Sequence, residues 1–166
     1  MNDFDLFFSI IIIGIGATLI MDLWALFLKK IFAISSLDYR LVGRLIGHMR
    51  HGQLSHNNIL KSQPIAGEKI LGWFSHYLIG IIFAAILIYF TGKNWLQHPS
   101  LWPALVMGLI STVMPFFIMQ PAFGFGFAAN KTPQPFIARV KSLNAHLSFG
   151  LGLYIAALIF LPLYLH

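Results

Sequence analysis

Three ionisable side chains lie inside apolar stretches of this 166-residue chain, where chemistry would have to occur. Asp22, His76 and His146 each lie five to seven residues from the nearest Lys of a flanking connection. At the rise of an α-helix this puts all three about 10 Å or less inside the same boundary. An ionisable group in hydrocarbon is costly and is retained mainly where it is paired or functional. We therefore expect Asp22, His76 and His146, with Gln120, to form a polar ligand-binding pocket.

These residue types allow several kinds of chemistry. Two histidines and a carboxylate suit Zn or Fe ligation, and two facing histidines, followed by Gly80 and Gly150 four residues later, suit a b-type haem with room for the macrocycle. An aspartate near histidine also suits a proton relay or the cation site of a carrier. Alternatively, Asp22 and His76 form a hydrogen-bonded pair that only holds helices together. The sequence leaves these alternatives open.

Four apolar blocks would have to position these groups. They cover 6–28, 70–91, 101–120 and 143–165, and each has the roughly 20 residues that a helix needs to cross about 30 Å of hydrocarbon. A composition of 58% hydrophobic and 10% charged residues argues against a water-soluble fold. We predict an all-α polytopic membrane protein, a bundle of four transmembrane helices that forms one domain over 1–166.

The distribution of cations predicts the orientation. Of the eleven Lys and Arg residues, seven lie in the connection 29–69 and three in the connection 121–142, whereas neither tail has any. Because cations are retained on the cytoplasmic side, we expect both connections there and both termini in the periplasm. This placement also accounts for the net charge of +6, so nucleic-acid binding is not expected.

The first connection contains a predicted amphipathic helix on the cytoplasmic surface. Apolar residues recur every fourth position, and a basic row runs beside them: Leu37, Leu41, Leu45 and Met49, then Arg40, Arg44, His48 and His51. Ser35 and Asp38 form a possible capping box, and Gly52 a stop. Such a helix would bury its leucines at the headgroup boundary and offer Arg40 and Arg44 to lipid phosphates. The alternative is that its cations only determine topology.

The third connection should begin with distorted helix. Pro115 and Pro121 each remove a backbone donor, so we expect the third span to kink and to unwind toward the cytoplasm, where it would line a site. Alternatively, Gly124 and Gly126 only allow close helix contact. The segment 132–141 predicts a short basic interfacial helix, whose Arg139 and Lys141 are further candidates for lipid phosphate.

A weaker metal site is predicted beside the first connection. His48 and His51 share a helix face, and His56 and Glu68 follow before the second span: the set could form a metal-binding lip, although such histidines are more often unligated. The chain has no cysteine, which excludes thiolate sites, and it lacks the Walker, nucleophile-elbow and H-E-x-x-H motifs.

Several short motifs together resemble a known family. They are Gly16-Ala-Thr with Met21-Asp-Leu-Trp, Leu37-Asp-Tyr-Arg-Leu-Val-Gly-Arg with Gly47-His-Met, Gly72-Trp with His76-Tyr, Pro115-Phe-Phe with Met119-Gln-Pro-Ala, and Lys131-Thr-Pro with Arg139 and Ser142-Leu. The chain resembles a family of small bacterial membrane proteins catalogued as a domain of unknown function. The resemblance implies a four-span inner-membrane protein and supplies no activity.

The favoured hypothesis is a small carrier or ligand-binding protein of the bacterial inner membrane. The alternatives are a haem- or metal-binding membrane oxidoreductase and an accessory or scaffold subunit without a site of its own. Whether the chain is an enzyme stays open, and no cofactor is assigned. The expected partners are the lipid bilayer and its anionic head groups, with a second copy or a larger membrane protein as further possibilities.

Overall fold

A computed structural model describes the backbone of residues 2–164 and the side chains of residues 2–159. The described part is helical and contains no strand. Its α-helices are α1 (Asp3–Phe32), α2 (Arg40–Met49), α3 (Glu68–Thr91), α4 (Asn94–Gln97), α5 (Leu101–Ser111), α6 (Gln120–Ala122) and α7 (Pro135–Tyr164). Within this part, four helices are long and apolar enough to cross a membrane: Asp3–Phe32, Glu68–Thr91, Leu101–Ala122 and Pro135–Ile159. The all-α, four-span fold class predicted from the sequence is confirmed.

Helix α1 is stabilised at both ends by local sequence. Asn2 accepts a hydrogen bond from the Asp5 amide at 2.8 Å, and the Asp5 carboxylate accepts one from the Asn2 amide at 3.2 Å, which makes a reciprocal capping box. Acidic residues lie in its first turn and Lys29 and Lys30 in its last turn, where each charge is favourable to the helix dipole. The helix exceeds the predicted span at both ends.

Helix α2 forms where the amphipathic pattern predicted it, but its surroundings and its cap differ from the prediction. Leu41 and Leu45 are buried against Ile59 and Phe123, so protein and not lipid covers the middle of the apolar row. The predicted capping box of Ser35 and Asp38 does not form: the N-cap is Tyr39, without a side-chain hydrogen bond, and Asp38 pairs with Arg40.

The third span is distorted at its prolines without unwinding there. Regular α-helix ends at Ser111, and Met114–Met119 has π-helical hydrogen bonding, in which the Gln120 amide donates to the Pro115 carbonyl. The widened turn accommodates a proline, which lacks the backbone N–H that a regular helical hydrogen bond needs. The chain stays helical to Ala122 and then passes through Gly124 and Gly126, both at positive φ, into a 3-10 turn at Phe127–Ala129.

The fourth span is longer than predicted. Instead of a separate interfacial helix over 132–141, one helix, α7, runs from Pro135 through Arg139 and Lys141 into the span. The backbone N–H at the first position of a helix has no acceptor within the helix. Proline, which lacks this N–H, therefore suits the start of α7. The predicted end of this span, at 165, lies outside the described residues.

The chain divides into two compact units, and its organisation as one domain over 1–166 stays a prediction. The first unit consists of the described parts of Met1–Ser35, Tyr77–Ser111 and Ala145–His166. The second consists of Ser36–His76 and Thr112–Asn144.

Candidate functional site

The helices of the first unit approach one another at glycines. A Cβ atom on Gly80 of α3 would overlap the Thr18 hydroxyl of α1, and one on Gly152 of α7 would lie 2.7 Å from the Ala17 carbonyl oxygen. Small residues allow such close backbone contact between helices in a membrane. These contacts fix which residues of α1, α3 and α7 lie at the same level.

Asp22 lies one helical turn beyond Thr18 and is bound by a tyrosine of α3. The Tyr77 hydroxyl donates a hydrogen bond to Asp22 Oδ2 at 3.0 Å, and both side chains are half-buried. A polar pair of this kind connects two helices and gives the carboxylate a donor. Asp22 is thus a hydrogen-bonded group of the first unit.

His146 of α7 is held by a serine of α5. Ser111 Oγ lies 2.6 Å from the Gly108 carbonyl oxygen and 2.6 Å from His146 Nδ1. A carbonyl only accepts and the hydroxyl has one hydrogen, so Ser111 donates to Gly108 and His146 Nδ1–H donates to Ser111. In the neutral imidazole this assigns the lone pair to Nε2.

Asp22 and His146 lie at nearly the same level of the first unit. Helices α1 and α7 are the first and fourth candidate spans, so they run in opposite directions if each crosses the membrane. From the Ala17–Gly152 contact, six residues along α1 reach Leu23 and six residues back along α7 reach His146, about 9 Å in each case. Asp22 is one residue from that level, a difference of about 1.5 Å.

The two glycines on which the haem alternative rested are used for helix packing. Gly80 meets Thr18, and a Cβ atom on Gly150 would lie 2.8 Å from the Ala104 carbonyl oxygen of α5. Neighbouring helices therefore occupy the space beside these glycines that the sequence assigned to a macrocycle. The haem alternative loses this support.

The other two residues of the predicted pocket belong to the second unit. His76 stacks on Tyr39, with ring centroids 4.0 Å apart and an interplanar angle of 23°, and Trp73 meets it edge-on at 5.9 Å. Gln120 begins α6, and its buried Oε1 has no hydrogen-bond partner among the described residues. The four-residue pocket of Asp22, His76, His146 and Gln120 stays a prediction.

Of the four residues in the predicted metal lip, the structure brings two together. His48 Nδ1 lies 2.7 Å from His56 Nε2. Both carboxylate oxygens of Glu68 accept hydrogen bonds from Arg44, and His51 is exposed. The part of the chain that the structure describes has no group of three His, Cys, Asp or Glu side chains that could hold a metal ion.

The basic residues assigned to lipid phosphate have unlike surroundings. Arg40 is exposed and pairs with Asp38, whose pKa is lowered mainly by its hydrogen bond with Arg40. Lys141 is exposed, and Arg139 donates to the Ala128 carbonyl at 2.8 Å. Arg44 departs from its assignment, because it is 9% exposed and donates to Glu68 and to two backbone carbonyls inside the second unit.

Sequence reasoning missed the neutral partners of the charged groups. These partners are Tyr77 for Asp22, Ser111 for His146 and Tyr39 for His76. The ion pair between Arg44 and Glu68 was also missed, because its members lie 24 residues apart. Helical spacing indicates one of these partners only with the help of the structure. Tyr77 is three residues before Gly80 on the face toward α1, once Gly80 is known to meet Thr18.

The fold and these contacts define a class, that of all-α membrane proteins with polar, hydrogen-bonded side chains within their spans. Within that class the chain belongs to the family described as "Protein of unknown function (DUF2938)", whose model matches residues 11–160. The match covers nearly all of the four spans and the connections between them, and it confirms the resemblance found in the sequence. No curated protein and no solved structure matches this chain.

Proposed function

We propose that this protein is a small carrier or ligand-binding protein that takes a proton, a cation or a ligand rich in hydrogen-bond donors. The observation that supports this proposal is the shared level of Asp22 and His146 in the first unit. Each is oriented by a hydroxyl group, from Tyr77 and Ser111 respectively.

The chemistry of the two groups points to this ligand class. The Asp22 carboxylate is an acceptor, and the lone pair of neutral His146 is on Nε2 when Nδ1–H is used by Ser111. Two acceptors at one level in a low-dielectric surrounding favour a positive or donating ligand. Polar groups at such depth recur in the proton and ion pathways of transporters.

The charge pattern supports an orientation and a lipid preference. We propose a bacterial inner-membrane location with both termini in the periplasm, because ten of the eleven Lys and Arg lie in the connections 29–69 and 121–142. On the cytoplasmic side Arg40, Arg139 and Lys141 are the candidates for contact with anionic head groups. Such contacts contribute about 1 kcal/mol per cation near the surface.

A thermal-shift experiment on purified protein in nanodiscs tests the ligand proposal. The probes are sodium, potassium, zinc and tetramethylammonium chlorides at matched ionic strength, each at mildly acidic and mildly alkaline pH. We expect at least one cation to shift the Tm of the wild type at one of the two pH values. We expect Asp22→Asn and His146→Gln to remove that shift.

The chain offers matched controls for both variants. Asp3 is almost fully exposed and His98 is exposed, so Asp3→Asn and His98→Gln remove the same groups at the surface and should respond as the wild type does. An identical response from all five proteins, or none from the wild type, would overturn the proposal. Absorption and metal analysis of gently purified protein separates the oxidoreductase alternative, which requires a Soret band or bound metal.

A further inference from the structure

Two histidines of the second unit form a hydrogen-bonded chain that ends in a bare acceptor. His48 Nε2 lies 3.0 Å from the Gln63 carbonyl oxygen, which only accepts, so this nitrogen carries a hydrogen. His48 Nδ1 lies 2.7 Å from His56 Nε2, and one hydrogen lies between them. When both rings are neutral, that hydrogen is on His56 Nε2. His56 Nδ1 is therefore an acceptor with no hydrogen of its own.

An additional proton has one place to go in this chain. Three of the four ring nitrogens already share two hydrogens in two hydrogen bonds, so a third hydrogen must be placed on His56 Nδ1. That atom is buried and has no hydrogen-bond partner among the described residues, and His56 is 8% exposed. A buried N–H without an acceptor and a buried charge are both unfavourable. The arrangement in which His56 is buried and hydrogen-bonded to His48 is thus compatible only with neutral rings.

The surrounding charges also disfavour protonation of His56. From α2, His48 and Arg44 face His56, and Arg44 is in turn paired with Glu68 of α3. The neighbouring segments 53–55, 57–58 and 120–126 carry no titratable side chain. Burial, followed by the effect of His48, lowers the pKa of His56 below its ordinary value of 6.5.

His56 lies where the first connection joins the end of the third span. Its backbone amide donates to the Ala122 carbonyl at 2.8 Å, and the Ile59 amide donates to the Phe123 carbonyl at 2.9 Å. Gly124 packs so closely that a Cβ atom there would overlap the Asn57 carbonyl. We call this contact between 56–59 and 122–124 the junction. His56 is thus itself a member of the junction through its backbone amide.

We propose that the His48–His56 pair is a proton-binding site that controls the junction. A proton from water binds at His56 Nδ1, the charged ring turns toward solvent, and its hydrogen bond with His48 breaks. The junction loosens in consequence, and loss of the proton restores it. The chain thereby responds to a fall in pH on the side of the membrane that the connections 29–69 and 121–142 face. This inference does not depend on the ligand proposed for the first unit.

Full-length protein in nanodiscs, labelled with ¹⁵N-histidine and ¹⁵N-isoleucine, gives the direct test. Ring-nitrogen chemical shifts report which nitrogen of each histidine is protonated, and amide exchange, corrected for intrinsic rates, reports opening at His56 and Ile59. Between about pH 8 and about pH 5.5, the range in which histidine titrates, we expect His56 to acquire its second hydrogen. Exchange at the two junction amides should accelerate at least about tenfold over the same range.

Two variants separate the pair from other histidines. His56→Phe should exchange at a rate independent of pH, whereas His51→Gln, a change at an exposed neighbour on the same connection, should behave as the wild type does. The inference is overturned by a hydrogen on His56 Nδ1 at alkaline pH, by junction exchange that does not change with pH, or by a response that persists in His56→Phe. If His56→Phe does not fold, the wild-type spectra decide alone, because the ring titration and the acceleration must share one midpoint.

Discussion

Arg44 and Glu68 form a two-point ion pair inside the second unit. Arg44 Nε donates to Glu68 Oε2 at 2.8 Å and Nη2 donates to Oε1 at 2.9 Å, and the two side chains are only 11% and 12% exposed. Arg44 Nη1 also donates to the carbonyls of Ile59 and Ser62. One guanidinium therefore connects α2, the 3-10 turn Ile59–Lys61 and the start of α3.

Loss of one partner of this pair should be strongly destabilising. Glu68→Ala leaves a buried guanidinium without its counter-ion, and we expect the free energy of unfolding to fall by about 3 kcal/mol. Thermal unfolding in detergent measures the effect. Arg40→Ala is the matched control, because it breaks an exposed pair with Asp38 and should cost less than about 1 kcal/mol. Equal losses from the two variants would contradict the structural role assigned to Glu68.

The contact between Gly80 and Thr18 predicts a clash that a second change relieves. Gly80→Ala puts a methyl group against the Thr18 hydroxyl, and overpacking of this kind costs about 1–3 kcal/mol. Adding Thr18→Ala removes the obstructing atoms, so the double variant should be more stable than the sum of the single changes indicates. A double-mutant cycle by thermal unfolding measures this coupling. Additive losses would mean that the two helices do not meet at these residues.

Removal of the Ser111 hydroxyl should release His146 from its assigned tautomer. Ser111→Ala deletes the acceptor for His146 Nδ1–H, so we expect ¹⁵N spectra to show a mixture of tautomers and stability to fall by about 1 kcal/mol. Ser148→Ala is the matched control on the same helix as His146, because the Ser148 hydroxyl donates to the Ala145 carbonyl. An unchanged His146 spectrum in Ser111→Ala would remove Ser111 from the proposed site.

The pH dependence of stability follows from the lowered pKa of His56. Because the folded state favours neutral His56, its contribution to stability is present above the ordinary histidine pKa of 6.5 and is lost as the pH falls through the lower folded-state pKa. The Tm of the wild type should therefore decrease on acidification below about pH 6.5. The decrease should be smaller in His56→Phe, and scans over a pH series measure it. A wild-type Tm that rises across this range would reverse the sign of the argument.

The spans could be predicted because each is written in a continuous local pattern. Some 20 apolar residues specify a membrane helix, and the four-residue spacing of Leu41 and Leu45 specifies α2. What covers α2 depends on distant residues: Ile59 and Phe123 are separated from it by other segments of the chain. Periodicity identifies an apolar face without identifying whether lipid or protein will cover it, and this is why the expected burial of Leu41 and Leu45 at the headgroup boundary was wrong.

The site was harder to predict because its partners are ordinary polar residues. An ionisable group in an apolar block attracts attention, and so Asp22, His76 and His146 were chosen as candidates. A serine or a tyrosine in a span carries no such signal, so Ser111 and Tyr77 were overlooked. The pairing of Arg44 with Glu68 depends on close contact between α2 and α3, where a Cβ atom on Gly43 would overlap the Glu68 carbonyl. Such contacts are set by tertiary structure and not by spacing.

The absence of native cysteine makes the proposed orientation directly testable. Gln53 lies in the first connection and Gln97 in the second, and both are exposed, so each accepts a single cysteine without disturbing a helix contact. If the first connection is cytoplasmic, a membrane-impermeant maleimide added to intact cells should label Gln97→Cys and spare Gln53→Cys. After lysis both variants should react, which controls for the reactivity of each thiol. The opposite labelling pattern would invert the topology, and it would move Arg40 and Lys141 away from the anionic head groups that they are proposed to contact.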